Sequence, residues 1–99
     1  MRLEKMDEVA VIYPGKNIDI SNSSELRSRM EELMDEGCRK IILDLTDVAV
    51  VDSSGIGKLL VFYSRFEEHG GVMVMRNVNN AYLRKLFSLI SFDQIIKVE

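Results

Sequence analysis

Tryptophan is absent from these 99 residues, and cysteine, proline and histidine occur once each. The lone cysteine, Cys38, excludes an internal disulfide. With no Cys or His at ligand spacing around it, no metal site is expected. Cys38 reads as a small buried hydrophobe ahead of a strand, and a reducing cytoplasm is the expected compartment. One proline leaves no room for a proline-rich linker. No apolar run approaches the ~20 residues that span a bilayer, and Met1-Arg2-Leu3-Glu4-Lys5 has no apolar core of signal-peptide type. The net charge is −3 with the basic residues scattered, so the clustered footprint of a nucleic-acid binder is missing. The acids are scattered too, and no acidic tail exists. Neither a membrane nor a nucleic acid is expected as a partner.

What is there is an ordinary globular composition, 46% hydrophobic and 29% charged. The length suits one domain over residues 1–99, with a radius of gyration of about 13 Å. A domain this short buries a smaller share of its surface than a longer one, so partners can contribute to its stability.

Periodicity divides the chain. Val9–Tyr13 reads as a strand closed by Pro14, which cannot donate to a ladder, and Gly15-Lys16-Asn17 as a turn. Residues 2–6 are expected to lie antiparallel beside 9–13, at one edge of the sheet. Ile18-Asp19-Ile20 is a short strand-like run. Asn22 with Glu25 three residues on predicts a capped helix start. Leu26, Met30, Leu33 and Met34 form its apolar face, and Gly37 its stop. Lys40–Thr46 reads as a central strand, and Val48–Val51 continues the apolar character. From Ser53 the period becomes helical, with Ile56, Leu59, Leu60, Tyr63 and Phe62 or Phe66 as a stripe ending near His69-Gly70-Gly71. Val72–Met75 is a strand. Asn79-Asn80 opens a third helix with Leu83, Leu86, Phe87 and Ile90, and Ile95–Val98 is a last strand. The alternation predicts an α/β domain with a mixed, mostly parallel sheet of four to five strands flanked by helices.

In such sheets function gathers where strands end and helices begin. Residues 50–57, Val-Val-Asp-Ser-Ser-Gly-Ile-Gly, lie at such a point, and Asp19 can lie at the same end. Two readings stand side by side. In one, Asp52 or Ser53 simply caps the helix and Gly55 permits close packing. In the other, the hydroxyls face unpaired amides and the positive end of a helix dipole, where a phosphate is well accommodated. A catalytic Ser-His pair is not expected: the hydrolase elbow is absent. His69, at the far end of the same helix, would stand about 22 Å away. Gly55-Ile56-Gly57-Lys58 lacks the upstream glycine of a phosphate loop, and Leu59 stands where Ser or Thr should follow. Asp44 interrupts a buried strand and is read as bonded to a neighbouring loop or strand end. No cofactor is expected.

The chain resembles the STAS domain family, and within it the stand-alone bacterial anti-sigma factor antagonists. Four segments carry the resemblance: residues 14–19 (PGKNID), 41–60 (IILDLTDVAVVDSSGIGKLL), 70–75 (GGVMVM) and 83–98 (LRKLFSLISFDQIIKV). The second is the specific one. The resemblance implies a non-enzymatic protein that binds an anti-sigma factor which is also a serine kinase, so freeing sigma. It implies that phosphorylation of the second hydroxyl, Ser54, releases the antagonist, and that a serine phosphatase restores it. Asp19, Asp52, Ser53, Ser54 and Gly55 are the implied partner-binding residues. Three departures accompany it. Three residues separate Gly15 from Asp19 where the family pattern has two. Ser91 stands where a glycine is common. The chain stops after the last predicted strand where many members continue into a final helix, which implies either uncovered apolar surface for a partner or a weak homodimer, or an anti-sigma interface that differs from the family's.

Two other classes remain beside this one. A STAS module of a lipid-transport or stressosome-like assembly would bind without regard to Ser54. A small nucleotide-binding or hydrolytic domain would bind or turn over nucleotide alone, and the missing base and phosphate loop argue against it.

Overall fold

Burial alternates along the second strand, and that alternation places the sheet. In β2 (Val9–Tyr13) Ala10 and Ile12 are fully buried while Val9, Val11 and Tyr13 are not. The computed structural model describes all residues, Met1–Glu99. β1 (Arg2–Met6) runs antiparallel to β2, and β2 pairs in parallel with β4 (Lys40–Asp44), which pairs in parallel with β6 (Val72–Arg76). The order β1-β2-β4-β6 makes a mixed, mostly parallel four-stranded sheet. The two edges are therefore β1 and β6. β2 is interior, because its inward Ala10 and Ile12 face Ile41 and Leu43 in register.

β3 (Asn17–Ile18) and β5 (Val50–Val51) form a separate two-stranded parallel ladder. Val48–Val51 thus does not continue the central strand. The Asp44 carboxylate accepts the Thr46 amide at 2.9 Å and Leu45 N–H bonds to Arg76 O, which ends β4 in a turn before the chain resumes as β5.

Three helices complete the inner layer: α1 (Ser23–Asp35), α2 (Ser53–Glu68) and α3 (Ala81–Leu89). Leu26, Met30 and Leu33 of α1, and Leu59, Phe62 and Phe66 of α2, join the inward sheet residues in one apolar cluster. Leu83 and Phe87 of α3 join it too, while Met34 is only partly buried. Phe62 and Phe66 stack at 5.3 Å between ring centroids. Cys38 is buried at the start of β4, as expected of a small hydrophobe. Ile42 and Val74 are buried outside that cluster and belong to the opposite sheet face.

Two local expectations fail. Asn22 precedes α1 but makes no side-chain cap, so the Asn22–Glu25 capping box does not form. Its side chain accepts the Asp19 amide at 2.9 Å and donates to Asn17 O at 2.7 Å instead. The last strand is replaced by a helical turn, α4 (Phe92–Ile95), in which Phe92 and the following Ile96 are buried at helical spacing. Only Val98 pairs with the sheet, as a single bridge to Met75.

Candidate functional site

The β3–β5 ladder builds the site. Asn17 faces Val50 and Ile18 faces Val51, so the next residues, Asp19 and Asp52, leave equivalent ends of two parallel strands. Neighbouring strands lie about 5 Å apart. Asp52 N–H continues the ladder to Ile18 O at 3.2 Å. From Asp19 the chain turns into α1, and from Asp52 into α2, so two helix N-termini start side by side.

Asp52 is the N-cap of α2. One carboxylate oxygen accepts the Gly55 amide at 2.9 Å and the other accepts the Ile20 amide at 3.1 Å. The same acid therefore caps one helix and holds the loop that leads into the other. Ser53 is exposed, Ser54 is half-buried, and Gly55 is buried beneath them. A Cβ on Gly55 would lie 2.4 Å from Ile18 O, so glycine is required for α2 to approach β3. Ser54 Oγ lies 3.3 Å from the hydroxyl of Ser23, the first residue of α1, which is only 1% exposed.

Asp19 is held by Ser21, which donates both its amide and its hydroxyl to the same carboxylate oxygen. The Ser21 hydroxyl is the main reason its carboxyl sits below the usual range. The Asp19 carbonyl accepts the Asn22 and Ser23 amides at the start of α1. The structure thus brings Asp19, Asp52, Ser53 and Ser54 to one corner, with Gly55 under it. His69 lies exposed at the other end of α2, its Nδ1 2.7 Å from Arg65 O.

Two features escaped the sequence. One is the buried Ser23 hydroxyl, which a serine pair at a helix start does not reveal without tertiary context. The other is apolar surface around the corner. Ile20 is 80% exposed. A groove of about 370 Å³ runs from Asp52 and Ser53 past Ile56 to Tyr82, Leu86 and Ile90 of the α3 segment. Ile90 had the right spacing for a helix face, yet it is exposed, as is Tyr82 beside it. No group of three or more His, Cys, Asp or Glu side chains is placed to hold a metal ion, and no helix is long and apolar enough to cross a membrane.

Away from this corner, Asp44 is buried at the carboxyl end of β4. It accepts bonds from Thr46, from Arg76 Nε at 2.8 Å and from Asn77 at 3.0 Å, and Arg76 also donates to the Tyr13 hydroxyl. Burial pushes its carboxyl up, but these donors outweigh it and hold the group at about 2. Asp44 is a structural clasp between β4 and the β6–α3 loop.

This arrangement of a mixed sheet, a small parallel ladder and paired helix starts recurs in known proteins. The STAS domain profile matches residues 1–99, and the chain belongs to the STAS domain family. A Thermotoga maritima protein provisionally named an anti-sigma factor antagonist is 27% identical over 94 residues, covering 94% of this chain and 82% of that protein. The anti-sigma F factor antagonist of Paenibacillus polymyxa is 29% identical over 80 residues, covering 80% of this chain and 68% of that one. The fold matches the crystal structure of a Thermotoga maritima protein of the same description. The TM-score is 0.88 at 24% identity, over 98% of this chain and 83% of that one. It also matches the Bacillus protein SpoIIAA in its phosphorylated form, with a TM-score of 0.76 at 22% identity, over 99% of this chain and 89% of that one.

Proposed function

We propose that this chain is an anti-sigma factor antagonist. Unmodified, it binds an anti-sigma factor that is also a serine kinase; phosphorylation at Ser54 releases it, and a serine phosphatase resets it. The names of the relatives support the general role. The observation that carries the switch is the placing of Ser54 at the start of α2, beside the start of α1, on a corner that also holds Asp19 and Asp52.

The corner suits a macromolecule better than a small ligand. Its polar centre, Asp19, Asp52, Ser53 and Ser54, is flanked by the exposed Ile20 and by the apolar groove at Ile56, Tyr82, Leu86 and Ile90. Apolar surface beside a charged switch is what a releasable protein interface requires. Gly55 serves it from below by keeping α2 close to β3.

In the transfer step, Ser54 Oγ bonds to the γ-phosphorus of the partner's ATP, the bond to the leaving ADP breaks, and the hydroxyl proton goes to a base. Both Asp52 oxygens are engaged by amides, and His69 is at the far end of α2. On this reading the base and the nucleotide are the partner's, and this chain is the substrate of the transfer. The product carries about −1.5 to −2 charges at neutral pH. The positive ends of the helices keep it compatible with the fold, while the nearby acids add to the field that a partner must face. Release acts at the interface and leaves the domain intact. Such a switch works in the cytoplasm, on a chain that is monomeric or a weak homodimer.

The test is a paired capture from the native lysate with wild-type and Ser54→Asp baits, followed by ATP addition and mass mapping. One ATP-binding protein retained by wild type, lost with the aspartate, and adding one phosphoryl group at Ser54 is the expected result. Equal recovery on both baits would assign the chain to another assembly.

A further inference from the structure

We propose that Ser23 is a positioning residue for Ser54, and that its buried hydroxyl becomes the fixed donor to the phosphoryl group in the modified state. The proposal rests on the reading of Ser54 as the switch.

The observation is a contrast among three neighbouring serines. Ser53 is exposed, Ser54 is half-buried, and Ser23 is 1% exposed. The hydrogen-bond partner of the Ser23 hydroxyl is Ser54 Oγ, at 3.3 Å. Either oxygen can be the donor, and the distance is long for a hydroxyl pair, whose usual separation is about 2.7–2.8 Å. The clasp in the unmodified chain is therefore loose. It turns the Ser54 hydroxyl toward α1, and nothing holds the hydroxyl of Ser53 in the same way.

Esterification changes the chemistry of the pair. The Ser54 oxygen loses its proton and can only accept. The Ser23 O–H is then the donor by necessity, and it faces a dianion. Bonds from a neutral donor to a charged acceptor are shorter and about twice as strong as neutral ones. A buried donor also has no water to return to. Ser23 sits on the first turn of α1, whose N-cap Asn22 spends its side chain on Asp19 and Asn17. The modified group is thereby tied to α1 as well as to its own helix, and the two helix starts act together in the released state.

The test uses the full chain with phosphoserine incorporated at position 54 and follows the second ionisation of the phosphate by ³¹P NMR. Ser23→Ala removes only the hydroxyl and introduces a better helix former, so folding is retained and is checked by thermal unfolding. The expected result is a second ionisation raised by roughly half a unit to one unit in Ser23→Ala, the size of one charge-assisted bond to a half-exposed group. Ser23→Thr, which keeps the hydroxyl, restores the wild-type curve. If threonine crowds the site and unfolds it, Ser23→Cys, a weak donor of similar size, is expected between wild type and alanine. Superimposable curves for wild type and Ser23→Ala overturn the proposal, and so does a shift that neither hydroxyl nor thiol reverses. The outcome is independent of the bait experiment. A titration shift with equal capture on both baits sinks the switch and keeps the Ser23 contact; the converse keeps the switch and sinks Ser23.

Discussion

The carboxylate of Asp52 accepts the backbone amide of Ile20 at 3.1 Å, across 32 positions of sequence, while its other oxygen caps α2 through Gly55. One acid thus fixes both the helix that carries Ser54 and the loop that carries Asp19. The chemistry of the corner and its architecture share a residue.

That double duty sets the first prediction. Asp52→Ala removes a helix cap and an inter-segment bond, and should cost about 1–2 kcal/mol of stability. Asp52→Asn keeps one acceptor oxygen and sets an amide NH₂ against one of the two N–H groups, so it should recover only part. Urea unfolding of the three chains measures this. An unchanged midpoint for the alanine variant would show that the two bonds contribute nothing in solution.

The two glycines of the motif should respond in opposite directions. A Cβ on Gly55 would lie 2.4 Å from a backbone oxygen, whereas one on Gly57 meets nothing within 4 Å. Gly55→Ala forces α2 away from β3 and should cost about 2–3 kcal/mol. Gly57→Ala, inside a helix, should gain about 0.5–1 kcal/mol. Denaturation midpoints of the pair decide it, and a neutral Gly55→Ala would mean that α2 and β3 do not approach as described.

Long, periodic segments were legible. α1, α2, α3 and the strands β2, β4 and β6 follow from apolar spacing, because each buries a face wide enough to impose its own period. The acid and hydroxyls at 52–54 were legible as a helix start for the same reason. What the sequence hid depends on tertiary pairing. Val50–Val51 reads only as further apolar sequence after β4, and its pairing with Asn17–Ile18 is hidden because two-residue strands leave no period to read. Asn22 looks like a cap, yet its side chain goes to the Asp19 loop, where a more distant demand wins. Ile95–Val98 looks like a strand by composition, but Phe92 and Ile96 reach the core only at helical spacing. Ser23 carries no local sign at all. Its meaning comes from Ser54, 31 positions away.

Ser91, which stands where glycine is common in the resemblance, sits at φ +57° as the residue before α4. A side chain is disfavoured in this left-handed region by about 1–2 kcal/mol. Gly70, at φ +81°, shows the usual solution to the same demand. Ser91→Gly should therefore stabilise the chain, by about 0.5–1 kcal/mol once the extra freedom of the unfolded glycine is deducted. Thermal unfolding detects it; a lower melting temperature would show that the Ser91 conformation is not strained.

The acid limb of stability should trace to Asp44. Its carboxyl is held at about 2 against an ordinary 3.8, because the donors Thr46, Arg76 and Asn77 outweigh the upward push of burial. A carboxyl whose folded value lies below its unfolded value favours the fold only while ionised. Its contribution, about 2 kcal/mol, is therefore present in full above the unfolded value. It falls away as pH drops from about 4 to about 2. Asp44→Asn should remove that part of the pH dependence and, since it leaves Arg76 without a charge partner, lower stability at neutral pH as well. Urea unfolding of both chains at pH 7, 4 and 2 reads the difference. If the gap between wild type and Asp44→Asn is as wide at the lowest pH as at neutrality, the clasp does not hold the acid in its charged form, and the acid sensitivity of the fold belongs to another carboxylate.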